Sequence, residues 1–296
     1  MIEVVENPTF KPEDFDPSKK KLGISAIIRL KNEADYLEKA LNSILPFFDE
    51  FVIVYNQCTD RTPEIIEEFA NNDPQRVRAF HYLPQVFPPA SAGQRTLPAN
   101  HVSSFVHYSN FALSKASYRV CSKWDGDQIA APNALGRVID RLRALKPGTL
   151  SWWLSPWKMG YWWFSGVNLW DRDGQVFVVK PLPTSGRRKD IGFWPLGRRH
   201  IFRHHPRVEY LRTWWFKCSF VGFVYYHVKG MKKDRGIGIY QLEVDPNSSY
   251  SKRLKQVWTN PELITFEEYC QIEPAACSLP DPESLGIRPV RGQTGD

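Results

Sequence analysis

From Gly23 to Leu30 the chain reads Gly-Ile-Ser-Ala-Ile-Ile-Arg-Leu, a nearly unbroken apolar run of strand length. Ala34 to Leu45 follows with helical spacing, Leu37, Ala40, Leu41, Ile44 and Leu45 sharing a face, and Pro46 stops it. Phe51 to Tyr55 is a second buried strand. After the polar loop Asn56 to Asp60, Thr62 as N-cap, Pro63 at the first helical position and Glu64 open a helix to about Ala70. Val77 to Tyr82 predicts a third strand. Strand–helix–strand–helix–strand with short connections implies an α/β fold with a mostly parallel sheet flanked by helices. Phe87 to Asn100 is a long loop, His101 to Ala116 a helix, Arg119 to Cys121 a strand, and Pro132 to Leu145 a further helix closed by Pro147-Gly148.

Beyond Leu150 the pattern changes. Trp152 to Trp170 is aromatic without clean periodicity, and Gln175 to Val179 reads as a strand after an Asp173-Gly174 turn. Pro181 to Leu196 reads as a loop, His200–Arg203 and Val208–Leu211 as short strands about His205-Pro206, and Phe220 to His227 as another strand. Thr265 and Glu268 form a capping box. Residues 1–21, rich in Pro and charge, are expected as a flexible arm, and 279–296 as a disordered tail. Residues 22–150 form the ligand-binding α/β half, and 151–278 the remaining half of the same domain.

Charge and composition narrow the picture. The net charge is +7, with basic residues concentrated in the second half, a surface that attracts phosphorylated substrates, anionic lipid or nucleic acid. The five cysteines (Cys58, Cys121, Cys218, Cys270, Cys277) are scattered, with no Cys-x-x-Cys pair, which points to a reduced, cytoplasmic compartment. No apolar run is long enough to span a bilayer, and residues 1–21 have no signal-peptide core.

The chemistry centres on Asp125-Gly126-Asp127. A buried strand ending in Asp-Gly-Asp presents two hard oxygen ligands at its carboxyl end, where ligands bind in open α/β sheets, and such oxygens suit Mg²⁺ or Mn²⁺. An isolated copy is equally good turn chemistry. Three further segments give it company: Ile27-Ile-Arg-Leu-Lys-Asn-Glu33-Ala34, Phe51-Val-Ile-Val-Tyr-Asn56-Gln-Cys-Thr-Asp60-Arg-Thr62 and Asn110-Phe-Ala-Leu113. In this order they resemble the family 2 class of GT-A glycosyltransferases over about residues 22–145. Tyr55 and Cys58 stand where that class commonly has an acid and a serine.

The resemblance implies a Rossmann-like GT-A fold and transfer of a monosaccharide, with inversion, from a nucleotide-diphosphate sugar to a glycan or lipid-linked glycan acceptor of a surface polysaccharide. It implies that Arg29, Lys31, Glu33, Asn56 and Asn110 hold the nucleotide, with Asp125 at the ribose or the metal. Asp127, helped by Asp125 and His227, would hold Mn²⁺ or Mg²⁺, while Lys229, Lys232 and Lys233 clamp the diphosphate. An inverting enzyme also needs a base for the acceptor hydroxyl. Asp190 in its glycine-flanked loop is favoured, with Glu209 the alternative, ahead of Asp171 and Asp173. The aromatic stretch serves as an acceptor platform, a small core, or a contact with the anionic inner face of the cytoplasmic membrane. Two competing readings remain. A nucleotidyltransferase lacks its glycine-rich loop here, since Arg29 to Glu33 contains no glycine. A nucleic-acid-binding protein is permitted by charge, but no nucleic-acid motif is present, so a nucleic-acid partner is not expected.

Overall fold

The apolar runs of the first half become the parallel strands of one sheet. The computed structural model describes residues 2–89, 91–143, 159–162, 164–180, 193–196, 202–203, 210–211, 222–233 and 261–290. Strands β1 (Ile2–Val5), β2 (Lys21–Leu30), β3 (Glu50–Asn56), β4 (Val77–Tyr82) and β5 (Tyr118–Trp124) lie in the spatial order β1-β4-β3-β2-β5, all parallel. β7 (Met159–Trp162) extends the sheet in parallel beside β5, and β10 (Phe193–Leu196) closes it antiparallel.

Helices cover both faces, which is why β2 and β3 are apolar on both sides rather than alternating. Leu37, Leu41 and Ile44 of α1 (Leu37–Ile44), Ile66 and Phe69 of α2 (Thr62–Asn72), and Leu135 and Ile139 of α5 (Pro132–Arg143) pack with Ile28, Leu30, Phe51 and Ile53. On the opposite face, Val106, Tyr108, Phe111 and Leu113 of α4 (Phe105–Ser114) pack with Ile27, Val52, Val54 and Phe80. Between β4 and α4 lies only the one-turn α3 (Ala92–Thr96). This doubly wound arrangement places the switch in strand order between β2 and β5.

A second sheet has the order β14-β9-β8-β13-β6, built from β6 (Gln128–Ala130), β8 (Ser165–Arg172), β9 (Gln175–Val179), β13 (Phe223–Gly230) and β14 (Leu263–Ile264). β11 (Phe202–Arg203) and β12 (Tyr210–Leu211) form a separate antiparallel pair. β5 ends at Trp124 in the first sheet and β6 begins at Gln128 in the second, so Asp125-Gly126-Asp127 is the joint between them. Trp124 fastens it. The ring is 1% exposed, lies against Phe48, Phe164 and Tyr225, and donates from Nε1 to the Gln128 carbonyl at 2.8 Å.

Several expectations are corrected. Residues 2–5 of the expected arm are a strand: Ile2 to Val5 pair with Ala79 to Tyr82, and Ile2 and Val5 pack on the two cores. The tail from Leu279 is ordered through residue 290, with Leu279 and Ile287 buried in the core of the second sheet. The aromatic run hides β8, and the expected loop over Pro181–Leu196 contains β10. Thr62 is the first helical residue rather than the N-cap, which falls on Arg61.

Candidate active site

Because β3, β2 and β5 are adjacent and parallel, the loops at their carboxyl ends meet at one sheet edge, at the crevice of the topological switch. Asn32 adopts φ 54°, a left-handed turn that asparagine tolerates, and carries the chain under the Asp-Gly-Asp joint. The loop after β3 holds it there. Asn32 Nδ2 donates to Thr59 Oγ1 (3.1 Å), and Asn32 Oδ1 accepts from the Thr59 amide (2.8 Å). The Asp60 carboxylate accepts from the amides of Ala34 (3.0 Å) and Thr62 (3.1 Å), while Thr62 Oγ1 accepts from the Glu33 amide (2.8 Å). Glu33 is thereby fixed beneath Gly126. A Cβ at residue 126 would meet Leu30 Cδ2 at 2.7 Å and Glu33 Cβ at 3.0 Å, so only glycine lets the joint lie this close.

From the second sheet, β13 runs antiparallel to β6 with His227 opposite Gln128, and the Val228 amide donates to the Asp127 carbonyl (2.9 Å). His227 Nε2 reaches Asp127 Oδ1 at 3.1 Å, and its Nδ1 reaches Asn168 Oδ1 on β8 at 3.0 Å. Just past the strand, Lys232 sends Nζ to Asp127 Oδ2 at 2.8 Å and to Glu33 Oε2. Two carboxylates, an imidazole and an ammonium thus meet in a buried cluster drawn from loops about 200 residues apart in sequence.

Electrostatics divide the two acids. Burial raises the Asp127 carboxyl, but the charges of Lys232 and His227 outweigh it and hold the group well below the usual carboxylate range. Burial first, then the neighbouring Asp127 charge, push Glu33 up to about 8 despite the pull of Lys232. The short Glu33–Lys232 contact alone would indicate an ion pair, while the raised value describes a protonated acid at neutral pH. At Glu33, burial and the Asp127 charge outweigh the pull of Lys232, so we assign the charge to Asp127 and the proton to Glu33. Lys232 itself is raised, its two acidic partners outweighing its burial.

Asp125 accepts from Lys123 Nζ (2.8 Å) and Gln128 Nε2 (3.2 Å). Arg29 reaches Ser109 Oγ and lies over the Phe105 ring at 4.9 Å, Lys31 is exposed at the loop tip, and Lys229 is buried beside the cluster. Lys233 is exposed, its amide donating to Asp35 Oδ2 at 3.0 Å. Asn56 and Asn110 are each 1% exposed. The Asn56 amide is bound to the carbonyls of Tyr82 (2.7 Å) and Pro84 (2.6 Å) and the amide of Val86 (3.2 Å), which gives it the work of shaping the loop after β4. Asp190 and Glu209 lie outside the described residues. Asp171 accepts from the Gly174 amide (3.0 Å) and Asp173 has φ 54°, so both serve the β8–β9 turn. Asn168 was not anticipated, and nothing in its surroundings in the sequence marks it. Asp60 and Thr62 carried a signal, the Asp-x-Thr spacing, whose partners lie in another loop.

As arranged, these side chains do not form a shell for a divalent cation. Among the described residues no three His, Cys, Asp or Glu side chains are grouped as metal ligands. Both Asp127 oxygens already face cationic or donor groups, and Asp125 is turned to Lys123 and Gln128.

Residues 10–122 match the family described as Beta-1,4-N-acetylgalactosaminyltransferase (CgtA). A similar solved structure is glucosyl-3-phosphoglycerate synthase from Mycobacterium tuberculosis in complex with Mg²⁺ and uridine diphosphate. It shares 18% identity and a TM-score of 0.29, over 48% of this chain and 47% of that one, so this chain spans about half of its length. No curated protein matches the chain. Over residues 10–122, which carry most of the parallel sheet and end just before the carboxylate joint, the chain is similar to that family.

Proposed function

We propose that the chain transfers a monosaccharide from a nucleotide-diphosphate sugar to a glycan acceptor. The observation that carries this reading is the meeting of Glu33, Asp127, His227 and Lys232 at the carboxyl edge of the parallel sheet, at its topological switch. In the reaction an acceptor hydroxyl attacks the anomeric carbon. The bond from that carbon to the diphosphate breaks, and the nucleoside diphosphate leaves with the electron pair. The chain's part is to position the donor and to meet the charge that develops on the leaving group, a task suited to Lys229 and Lys232 at this edge. The acceptor proton passes to a base as the anomeric centre inverts. Asp190 is our assignment, with Glu209 the alternative.

The name of the matched family makes N-acetylgalactosamine the first sugar to test. Supplying UDP-, GDP- and dTDP-sugars and following nucleoside diphosphate release checks the reading. At least one donor is turned over by the native chain, and Asp127→Asn lowers that turnover by at least about 10²-fold. Absence of binding and turnover with every donor would sink it. A lipid-linked acceptor and contact with an anionic membrane are supported by the net charge of +7. Among the described residues no helix is long and apolar enough to cross a membrane. Co-sedimentation with anionic but not neutral vesicles, weakened by salt, is the expected result.

A further inference from the structure

Lys232 occupies a position that the chain builds with some care. Gly230 lets β13 end against β8, since a Cβ there would meet Trp170 Cε3 at 2.2 Å and the Leu169 carbonyl at 2.7 Å. The next turn is closed by the Met231 amide on the Val228 carbonyl (2.9 Å). Met231 is fully buried, and the Lys233 amide is tied to Asp35 (3.0 Å). Lys232 between them is 2% exposed, and its ammonium points inward onto Glu33 and Asp127 rather than outward into solvent. A lysine this deeply buried is uncommon without paired acids, and here it has two.

The lysine also stands where a cation would stand. Glu33, Asp127 and His227 converge from two loops and a strand, and they supply two carboxylates and an imidazole, a donor set that suits Mn²⁺ or Zn²⁺. The ammonium lies directly between the two carboxylates of that set. With the ammonium in place the three side chains are not grouped as metal ligands, and the position between the two carboxylates is filled by the chain's own positive charge.

We propose that the Lys232 ammonium replaces a divalent cation at this site, so that a nucleoside diphosphate binds with positive charge supplied by the chain alone. The identity of that ligand rests on the nucleotide-sugar reading above; the place of the lysine does not. In this role Lys232 is a charge-balancing residue that fixes Asp127, and its removal exposes a latent metal site.

Electron paramagnetic resonance titration with Mn²⁺ tests the replacement on the full chain without any substrate. The wild type shows no tight site, Lys232→Ala acquires one with affinity at least about tenfold above wild type, and adding Asp127→Asn to that variant abolishes it. Lys232→Ser, which also vacates the position but keeps a hydrogen-bonding group, repeats the measurement should Lys232→Ala fold poorly. In parallel, calorimetric binding of UDP and GDP to the wild type is unchanged by excess chelator. The proposal is overturned by a wild-type Mn²⁺ site that Asp127→Asn removes, by no gain of Mn²⁺ binding in folded Lys232 variants, or by nucleotide binding that requires Mn²⁺. If no nucleoside diphosphate binds with or without metal, the donor reading fails while the Mn²⁺ titrations still decide the place of the lysine.

Discussion

At Glu33 and Asp127, two buried carboxylates share the ammonium of Lys232, and their protons respond to pH in opposite senses. Glu33 is raised to about 8, so the folded state binds its proton more tightly than the unfolded chain does. Its contribution to stability is fully present below the ordinary glutamate range and is lost as pH rises toward 8, a change on the order of a few kcal/mol. Glu33→Gln keeps the shape of the protonated acid. Its melting temperature should match wild type near pH 5 and exceed it above pH 8. A variant less stable than wild type at high pH would show instead that the charged pair with Lys232 dominates. Asp127 is depressed, so it stabilises the fold above the ordinary aspartate range and ceases to do so as pH falls through its folded value. Asp127→Asn should therefore cost stability at neutral pH and progressively less in acid, read from the same melts. The sequence pointed to Asp127 through its strand-end Asp-Gly-Asp, and to Glu33 and His227 through the family resemblance. It was silent on their ionisation, because that depends on which atoms Lys232 touches once the chain has closed on itself.

The elements of the first half were legible because β2 and β3 are covered on both faces and α1, α2 and α5 bury one face each. Val77–Tyr82 emerges with its predicted bounds, and β2, β3, α1 and α5 lie within a few residues of expectation. β1 was missed because it is a four-residue edge strand interrupted by Glu3, and β6 because three residues are too few to show a period. The two ends of the sheet do different work. At the amino edge, buried Glu50 accepts from Ser25 Oγ (2.7 Å), the Ser117 amide (2.8 Å) and Ser117 Oγ (2.7 Å), and pairs with Arg78 (3.0 Å). Glu50→Ala should lower unfolding free energy by about 2–4 kcal/mol in denaturant titration while leaving nucleotide affinity intact. At the carboxyl edge, Gly126→Ala drives a methyl into Leu30 and Glu33. It should cost about 1–3 kcal/mol and also weaken donor binding, because the strain falls on the loop that carries Glu33. Equal effects of the two variants on binding would contradict this division.

For the molecule as a whole, the joint between the sheets means that the site exists only when both are formed, since Glu33 and Asp125 belong to the first while Asn168, His227 and Lys232 belong to the second or its edge. This is why four motifs read from the first half lead to the carboxyl edge of the parallel sheet but not to Asn168, whose side chain meets His227 through β8–β13 pairing. The chain's last described stretch adds a constraint of another kind. Tyr36, just before α1, donates to the Arg288 carbonyl (2.7 Å), Lys39 reaches the Gly286 carbonyl, and Tyr226 donates to the Pro280 carbonyl (2.6 Å), with Ile287 fully buried beneath. Residues 280–288 thus act as a clasp from the second sheet to the helix that follows the Glu33 loop. A protease should trim them no faster than the domain opens globally, and their amides should exchange with deuterium alongside those of β13. A chain cut after Ser278 would lose the tether on Tyr36 and, through it, the steadiness of Glu33, so its first symptom would be a slackened donor cleft.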